Sequence, residues 1–398
     1  MSEIAVDQAP PGFRRLFAVG EFRALFGLQA LQAGGDQVRV LALSVLVYGR
    51  TGSPFQAALV LCAGMLPYVL GGALLLSLAD RWPARRLLTG VHGARAVVAA
   101  LLALTLPPLP VALALVLLLG LVAPLGAAAS QAVLPEVLPG GGFVLGRSLF
   151  IMSAGAAQIV GQGGGGALLV LIGPRGALWT AAALGVIGTV LARFGLRGRP
   201  ARAAGTGGTV RGTWRGNREV LGDPALRGAL LAAVLPISLA VAAEGVVIPY
   251  TAGAGHPAAA GPIFAAAAGG MLLGNLLVGR FAKGARLSRL ALPLAVLTGV
   301  ALLPLTLAPG TPVAAALMGL SAVGLSYELA VQNRFVDLVP ERLRGQGLGL
   351  VGTGQMTGQA LGMAAAGALA EVWSPGTVMA LCGAGAVAVS LALARHVR

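Results

Sequence analysis

Long apolar runs separated by short clusters of charge are the feature that most constrains how this chain can fold. Charged residues make up only 10% of the 398 residues, and 57% are hydrophobic. A soluble protein carries about 25% charged residues, so this inventory is too small to cover a water-soluble surface. About 20 apolar residues are needed for one helix to cross the hydrocarbon core of a bilayer. The sequence therefore predicts an all-α protein that lies mostly in a membrane.

Charged clusters and Pro/Gly pairs divide the apolar sequence into twelve predicted helical spans. In chain order they are 22–48, 55–78, 86–106, 110–132, 143–172, 175–195, 226–250, 258–281, 288–307, 312–334, 345–370 and 375–394, and they are numbered spans 1 to 12 below. Because the number of spans is even, both termini are expected on the same side of the membrane.

The distribution of Lys and Arg predicts which side that is. Arginines crowd into alternate loops and into the long stretch 193–227, whereas the other set of loops holds only Arg50 and Arg175. Loops rich in Lys and Arg stay cytoplasmic, so we expect both termini in the cytoplasm. The arginine, alanine and glycine bias is typical of a GC-rich bacterial genome, which places the protein in a bacterial plasma membrane. The net charge is +15, but the arginines form no single soluble face, so we expect no nucleic-acid partner.

Two halves of the chain resemble each other. Segment 131–147 aligns with 332–348 at a constant offset of 201, so that spans 4 and 5 repeat as spans 10 and 11. Such a repeat predicts two six-helix bundles related by a pseudo-twofold axis, with a binding site between them. The expected units are a cytoplasmic tail (1–21), a first bundle (22–195), a basic linker (196–224), a second bundle (225–394) and a cytoplasmic tail (395–398).

The linker is Gly-rich and basic over residues 196–220. Its arginines either bind anionic lipid headgroups or only anchor the topology.

The loop between spans 2 and 3 reads LADRWPARR over residues 78–86. It resembles the loop 2–3 signature of the major facilitator superfamily, although Leu76 and Pro83 stand where that signature has glycine. Segment 22–54 and the LPEVLP turn resemble the branch that contains macrolide exporters and the enterobactin exporter, which are drug:proton antiporters. The resemblance implies the twelve-helix fold of that superfamily and secondary active transport.

The same resemblance implies a cytoplasmic latch. Asp80 would meet the positive N-terminal end of span 11 and hold the cytoplasmic side closed. The basic residues Arg81, Arg85 and Arg86 would pair with acidic partners at Glu136, Asp337 or Glu341. The alternative is that the arginine cluster only fixes topology.

Span 1 carries a polar stripe on an otherwise apolar helix. Gln29, Gln32, Asp36 and Arg39 are spaced i, i+3, i+7 and i+10, which places them on one helical face. Such a stripe is expected to line a water-filled cavity, because exposing it to lipid is costly. Asp36, with Arg39, either couples transport to proton or substrate binding, or pairs with Arg39 and stays ionised as a structural group.

Two glutamates lie inside spans of the second half. Glu244 has no basic residue within one turn, so it is a candidate for proton coupling or cation recognition, or else a hydrogen-bonded structural group. Glu328 is a candidate cavity residue, but the nearby Arg334 favours a structural ion pair. The amides in the spans either line the cavity or bond neighbouring helices. They are Gln158, Gln162, Asn275, Gln355 and Gln359.

The predicted function is export of a hydrophobic or amphipathic small molecule, resembling an antibiotic or a siderophore, by proton antiport with alternating access. No cofactor is expected beyond the proton gradient, because the glycine run 161–166 lacks the Lys and Ser/Thr of a phosphate-binding loop. We expect no enzyme activity, no metal and a monomer. A nutrient importer or facilitator of the same fold, and a membrane receptor or scaffold that transports nothing, remain alternatives.

Overall fold

A computed structural model describes residues 13–74, 82–138, 141–200, 217–256, 259–282, 285–340 and 343–397. Within these ranges the chain forms helices and no strands. Twelve helical spans can be followed through them. Their bounds are Gly20–Thr51 (span 1), Pro54–Cys62 with Met65–Leu74 (span 2), Ala84–Thr105 (span 3), Leu109–Val137 (span 4), Gly141–Gly195 (spans 5 and 6), Pro224–Ala242 with Val247–Gly253 (span 7), Ala260–Phe281 (span 8), Ala285–Val300 (span 9), Thr311–Gly324 with Glu328–Leu338 (span 10), Arg344–Leu369 (span 11) and Pro375–Ala392 (span 12).

Many of these helices have the length and surface of membrane spans. In the described part of the chain, eight helices are long and apolar enough to cross a bilayer. Large side chains such as Leu104, Leu171, Phe194, Leu276 and Leu307 are exposed on the outside of the bundle. An exposed apolar belt of this kind is expected where helices contact lipid.

Local backbone chemistry sets the breaks between and within spans. Spans 5 and 6 are separated at Gly173, whose φ of 69° is in the left-handed region that glycine adopts readily, and Pro174 follows it. Span 7 changes to a 3₁₀ turn over Ala243–Val246, and span 10 does so over Leu325–Tyr327. Glu244 lies in the first of these turns and Glu328 directly follows the second, and both residues are partly buried.

Each half packs mainly on itself. In the first half span 1 lies along spans 5 and 6, and span 3 lies against spans 4 and 6. In the second half span 7 packs on spans 11 and 12, while span 8 packs on span 10. The halves meet where span 5 contacts span 8 and where span 2 contacts span 11.

The internal repeat is visible in individual contacts. A Cβ on Gly146 would meet Leu138, and a Cβ on Gly347 would meet Val339. Both partners are related by the same offset of 201 residues. The connections that follow spans 3 and 9 each pass through a left-handed residue, Leu106 in one half and Ala308 in the other. The two halves therefore share individual contacts as well as helix order.

The bundle has two distinguishable ends. At the linker end, Arg199 bridges the beginning of span 1 and the end of span 4, with its Nε 2.8 Å from Glu136 Oε2 and its NH2 2.9 Å from Glu21 Oε2. At the opposite end, Arg50 donates to the Leu106 carbonyl and Tyr250 to the Pro309 carbonyl, each at 2.8 Å. These two bonds tie the ends of spans 1 and 7 to the connections that follow spans 3 and 9.

Candidate functional site

A central cavity of about 200 Å³ lies between the two halves. Most of its lining is apolar, and polar groups are contributed by spans 1, 7 and 11. The lining residues are Gln37, Val40, Leu41, Leu61, Met65, Ile237, Val241, Glu244, Phe264, Ala267, Ala268, Met271, Ala322, Leu325, Gln359 and Met363. An apolar chamber with a few polar groups is the usual chemistry of a small-molecule site.

Glu244 is the acidic residue of this lining. It lies in the 3₁₀ turn Ala243–Val246, which interrupts span 7 beside the cavity. The adjacent Gly245 lets the turn approach span 11 closely, since a Cβ there would lie 3.1 Å from the Met363 carbonyl oxygen. Among the described residues no side chain forms an ion pair with Glu244. Its carboxyl group therefore faces an apolar chamber without a fixed countercharge.

The cavity is closed toward the opposite end of the bundle. A buried apolar cluster joins the halves there and includes Leu41 of span 1, Phe264 of span 8 and Ala366 of span 11. Glycines permit direct contact of the helix backbones. A Cβ on Gly166 would run into the backbone of Gly261. A side chain at either glycine would therefore have no space at this contact between the halves.

A corresponding contact is made by span 11 on span 2. A Cβ on Gly367 would lie 2.6 Å from the Ala58 Cβ, closer than carbon atoms pack. Just beyond it, Glu371 Oε1 accepts from Ser53 Oγ at 2.5 Å and from the Phe55 backbone N–H at 3.1 Å. The carboxylate thereby caps the first turn of span 2 from the other half of the molecule.

Asp36 lies away from the central cavity. Gln37, Val40 and Leu41 occupy the cavity face of span 1, and Asp36 is directed into the first bundle. There its carboxylate accepts from Arg39 NH2 at 2.8 Å, the pair that the sequence interpretation allowed.

Arg95 of span 3 is a second partner of Asp36 that sequence reasoning missed. Its Nε lies 3.2 Å from Oδ1 and its NH2 lies 3.1 Å from Oδ2. His92, one turn earlier on the same face of span 3, is buried beside this cluster. The i, i+3 spacing of a histidine and an arginine inside an apolar span was the available signal.

The other predicted cavity amides lie in different places. Gln32 approaches span 4, where its Oε1 would be 3.7 Å from a Cβ on Gly126. Gln29 is half-buried and, with the exposed Asn275, is outside the cavity lining described above. Gln359 does line the cavity. The side chains of Gln158 and Gln162 lie outside the described part of the structure.

Glu328 has an amide partner, which differs from the predicted ion pair with Arg334. Gln355 Nε2 donates to the Glu328 carboxylate and, at 2.9 Å, to the Ala233 carbonyl. Arg334 is six residues further along, a rise of about 9 Å and a rotation to the far side of the helix. Helix rotation thus directs Glu328 to span 11 and away from Arg334.

The predicted latch falls largely outside the described residues, which exclude Asp80, Arg81 and Glu341. Arg85 and Arg86 lie in the first turn of span 3. Glu136 accepts from Arg199 of the linker, and Asp337 is exposed near the end of span 10. The latch stays a prediction.

Known proteins share this fold over nearly the whole chain. A POT family transporter in complex with 5-aminolevulinic acid superposes with a TM-score of 0.75 over 97% of both chains, at 11% identity. The xylose transporter XylE from E. coli, in an inward open conformation, gives a TM-score of 0.67 over 96% of both chains, at 14% identity. Sequence identities this low show that the fold is shared and nothing more.

Sequence comparisons assign the family. The multidrug efflux pump Tap of Mycolicibacterium fortuitum is 29% identical over 363 residues, which cover 86% of this chain and 87% of that protein. The family model of the Major Facilitator Superfamily matches residues 25–333. The chain therefore belongs to the Major Facilitator Superfamily, and it is a multi-pass membrane transporter rather than an enzyme.

Proposed function

We propose that this transporter exports hydrophobic or amphipathic small molecules, with preference for cations, in exchange for protons. The observation that carries the proposal is Glu244, an acidic group without a described countercharge in an apolar cavity between the two halves. An ionisable residue at such a position is expensive to keep and is a functional candidate for that reason. The similarity to the multidrug efflux pump Tap supports export as the direction of transport.

Proton exchange follows from the chemistry of one carboxyl group with two competing ligands. Ionised Glu244 attracts a cationic substrate across the apolar lining, because the low dielectric constant strengthens the attraction. Protonated Glu244 loses that attraction and leaves a neutral apolar chamber from which the substrate departs. Binding of a proton and binding of a cation then exclude each other, which is the requirement for antiport.

Asp36 fits this scheme as a structural group. Two guanidinium groups contact its carboxylate, so this group already has fixed countercharges inside the first bundle. Its position inside the first bundle also separates it from the lining of the central cavity. We therefore assign proton coupling to Glu244 and a positioning role to the Asp36 cluster.

Alternating access exposes the cavity to one side of the membrane at a time, so the orientation of the bundle matters. The arginine distribution supports an orientation in which the linker end faces the cytoplasm. Both termini are then cytoplasmic, and the contacts of Gly166, Gly367 and Glu371 close the extracellular side. In this orientation residues 22–195 and 225–394 are the two moving bundles. The linker segment 196–220, whose residues 201–216 lie outside the described part, would contact anionic lipid headgroups. The transporter would work as a monomer.

Accumulation of a fluorescent lipophilic cation in energised bacterial cells tests the proposal. We expect wild-type protein to lower accumulation, and Glu244→Gln or a protonophore to abolish that effect. Glu328→Gln is the matched control, because it changes a second membrane glutamate that can still bond Gln355. Unchanged export by Glu244→Gln would contradict the assigned coupling, and substrate-dependent growth without export would favour an importer.

A further inference from the structure

A groove on the outside of the second bundle follows the first turns of span 9 and reaches the end of span 12. Its volume is about 500 Å³. The lining residues are Ser288, Arg289, Leu292, Pro293, Val296 and Leu391. Because Pro293 and Leu391 are exposed, the groove opens toward the surroundings of the bundle, where a membrane-spanning helix contacts lipid. Its polar residues lie near the start of span 9, at the linker end of the bundle.

Spans 9 and 12, which both line the groove, are held in direct contact. Ser390 Oγ lies 3.4 Å from the Ala295 carbonyl oxygen. A Cβ on Gly299 would run into the Gly383 carbonyl oxygen, so the two backbones touch at this level. The groove is therefore formed by two helices whose relative position is fixed by packing.

Arg289 brings positive charge to the groove. Its side chain is exposed, and no carboxylate of the described residues forms an ion pair with it. Arg286 is also exposed and lies three residues earlier, so the two like charges are neighbours on the surface of span 9. The first turn of that span holds no acidic residue that would offset them. This end of the helix thus attracts a negative group from outside the protein.

Pro293 leaves a hydrogen-bond acceptor at the same place. In a regular helix the Arg289 carbonyl accepts from the backbone N–H of residue 293, and proline has no such N–H. The exposed hydroxyl of Ser288 adds a second polar group. A fitting ligand therefore combines a negative charge, a hydrogen-bond donor and an apolar chain.

We propose that the groove binds an anionic phospholipid whose headgroup carries hydroxyl groups, as phosphatidylglycerol does. The phosphate lies against Arg289 and Arg286, and a headgroup hydroxyl donates to the Arg289 carbonyl. One acyl chain lies along Leu292, Val296 and Leu391. Basic pockets between membrane helices are a general way of binding anionic headgroups. This site is separate from the central cavity, and the lipid joins spans 9 and 12 from outside.

Native mass spectrometry of the detergent-purified protein tests this inference, because it counts bound lipids one at a time. The protein is titrated with phosphatidylglycerol and separately with phosphatidylcholine of the same chain length. We expect the first phosphatidylglycerol to bind about tenfold more tightly. Equal affinity for the two lipids overturns the proposal. Glycerol 3-phosphate, which has no chains, is expected to leave the bound lipid in place, and displacement by it would assign the groove to free phosphates instead.

Arg289→Gln is the decisive variant, and it changes an exposed side chain. We expect it to weaken binding of the first phosphatidylglycerol about fivefold. Arg280→Gln is the matched control, because it removes another exposed arginine at the same end of the bundle, in the last turn of span 8 and outside the groove. Unchanged binding by Arg289→Gln, or an equal loss in Arg280→Gln, contradicts the assigned site.

Leu391→Trp tests the chain separately from the headgroup. The larger side chain fills the apolar part of the groove and leaves both arginines in place. We expect the first phosphatidylglycerol to bind several-fold more weakly to this variant. Wild-type affinity would show that no acyl chain occupies the groove, and the proposal would then be wrong.

Discussion

Arg95 binds both oxygens of the Asp36 carboxylate from the neighbouring span, with Nε 3.2 Å from Oδ1 and NH2 3.1 Å from Oδ2. Arg39 adds a third nitrogen at 2.8 Å from within span 1. Two helices of the first bundle are thereby fixed to each other through one acidic side chain. The aspartate that stands out in the sequence of span 1 thus lies between two helices of one bundle, and the carboxyl group that lines the central cavity comes from the other half.

Replacement of Asp36 by Asn is expected to destabilise the first bundle, because two guanidiniums would lose their shared carboxylate. Removing one partner from a buried ion cluster costs about 3 kcal/mol or more. We expect a marked loss of folded protein in a thermal stability assay. The triple variant Asp36→Asn, Arg39→Gln, Arg95→Gln removes all three charges and is expected to recover most of that loss. Wild-type stability of Asp36→Asn alone would contradict this assignment.

Gly166→Val is expected to prevent closure of the opposite end, because the added side chain meets the Gly261 backbone. Overpacking of this kind costs about 1–3 kcal/mol, which is enough to shift a conformational equilibrium. A Gln37→Cys reporter in the cavity, with Cys62 and Cys382 replaced by Ala, would then react more with an impermeant maleimide from outside. Gly164→Val is the matched control, since nothing lies within 4 Å of its Cβ. Equal labelling of both variants would refute the closure role.

Glu371→Ala is expected to loosen the same closed end by removing the acceptor for Ser53 Oγ and the Phe55 N–H. Hydrogen bonds at an exposed site contribute about 1 kcal/mol in total, which corresponds to a roughly five-fold shift toward the open conformation. The Gln37→Cys reporter measures this shift. Glu371→Gln keeps one acceptor oxygen and should give a smaller change. Identical behaviour of the two variants would argue that this contact does not control opening.

The bridge from Arg199 to Glu21 predicts a pH-dependent contribution to stability. Burial tends to raise the pKa of Glu21, but hydrogen bonds and charge from Arg199 and Arg197 outweigh it and lower the pKa below its ordinary value of 4.5. A lowered carboxyl pKa stabilises the fold when the pH is above the ordinary pKa of the group. That stabilisation disappears as the pH falls through the lowered pKa. Arg199→Gln should therefore melt below the wild type at neutral pH, with a difference that vanishes in acid. A difference that persists undiminished at about pH 3 would be inconsistent with this bridge.

The twelve spans were predictable because hydropathy and Gly/Pro breaks are local properties of the sequence. The break at Gly173 falls between residue 172, where span 5 is predicted to end, and residue 175, where span 6 is predicted to begin. Glu244 was a candidate because no basic residue lies within one turn of it. The partners that Asp36 and Glu328 find on other spans were not predictable in the same way. Arg95 and Gln355 come from other spans, so their contacts depend on how each helix is rotated against its neighbours. Sequence spacing shows on which face of a helix a residue lies, but it does not show which residue of the neighbouring helix it contacts.

Substrate-driven proton movement in proteoliposomes tests the central assignment most directly. A gradient of a transported lipophilic cation is imposed, and the internal pH is followed for wild type, Glu244→Gln and Glu328→Gln. We expect the cation gradient to drive protons across the membrane with wild type and with Glu328→Gln, and to drive none with Glu244→Gln. Proton movement of wild-type size with Glu244→Gln would contradict the assignment of Glu244 as the coupling group.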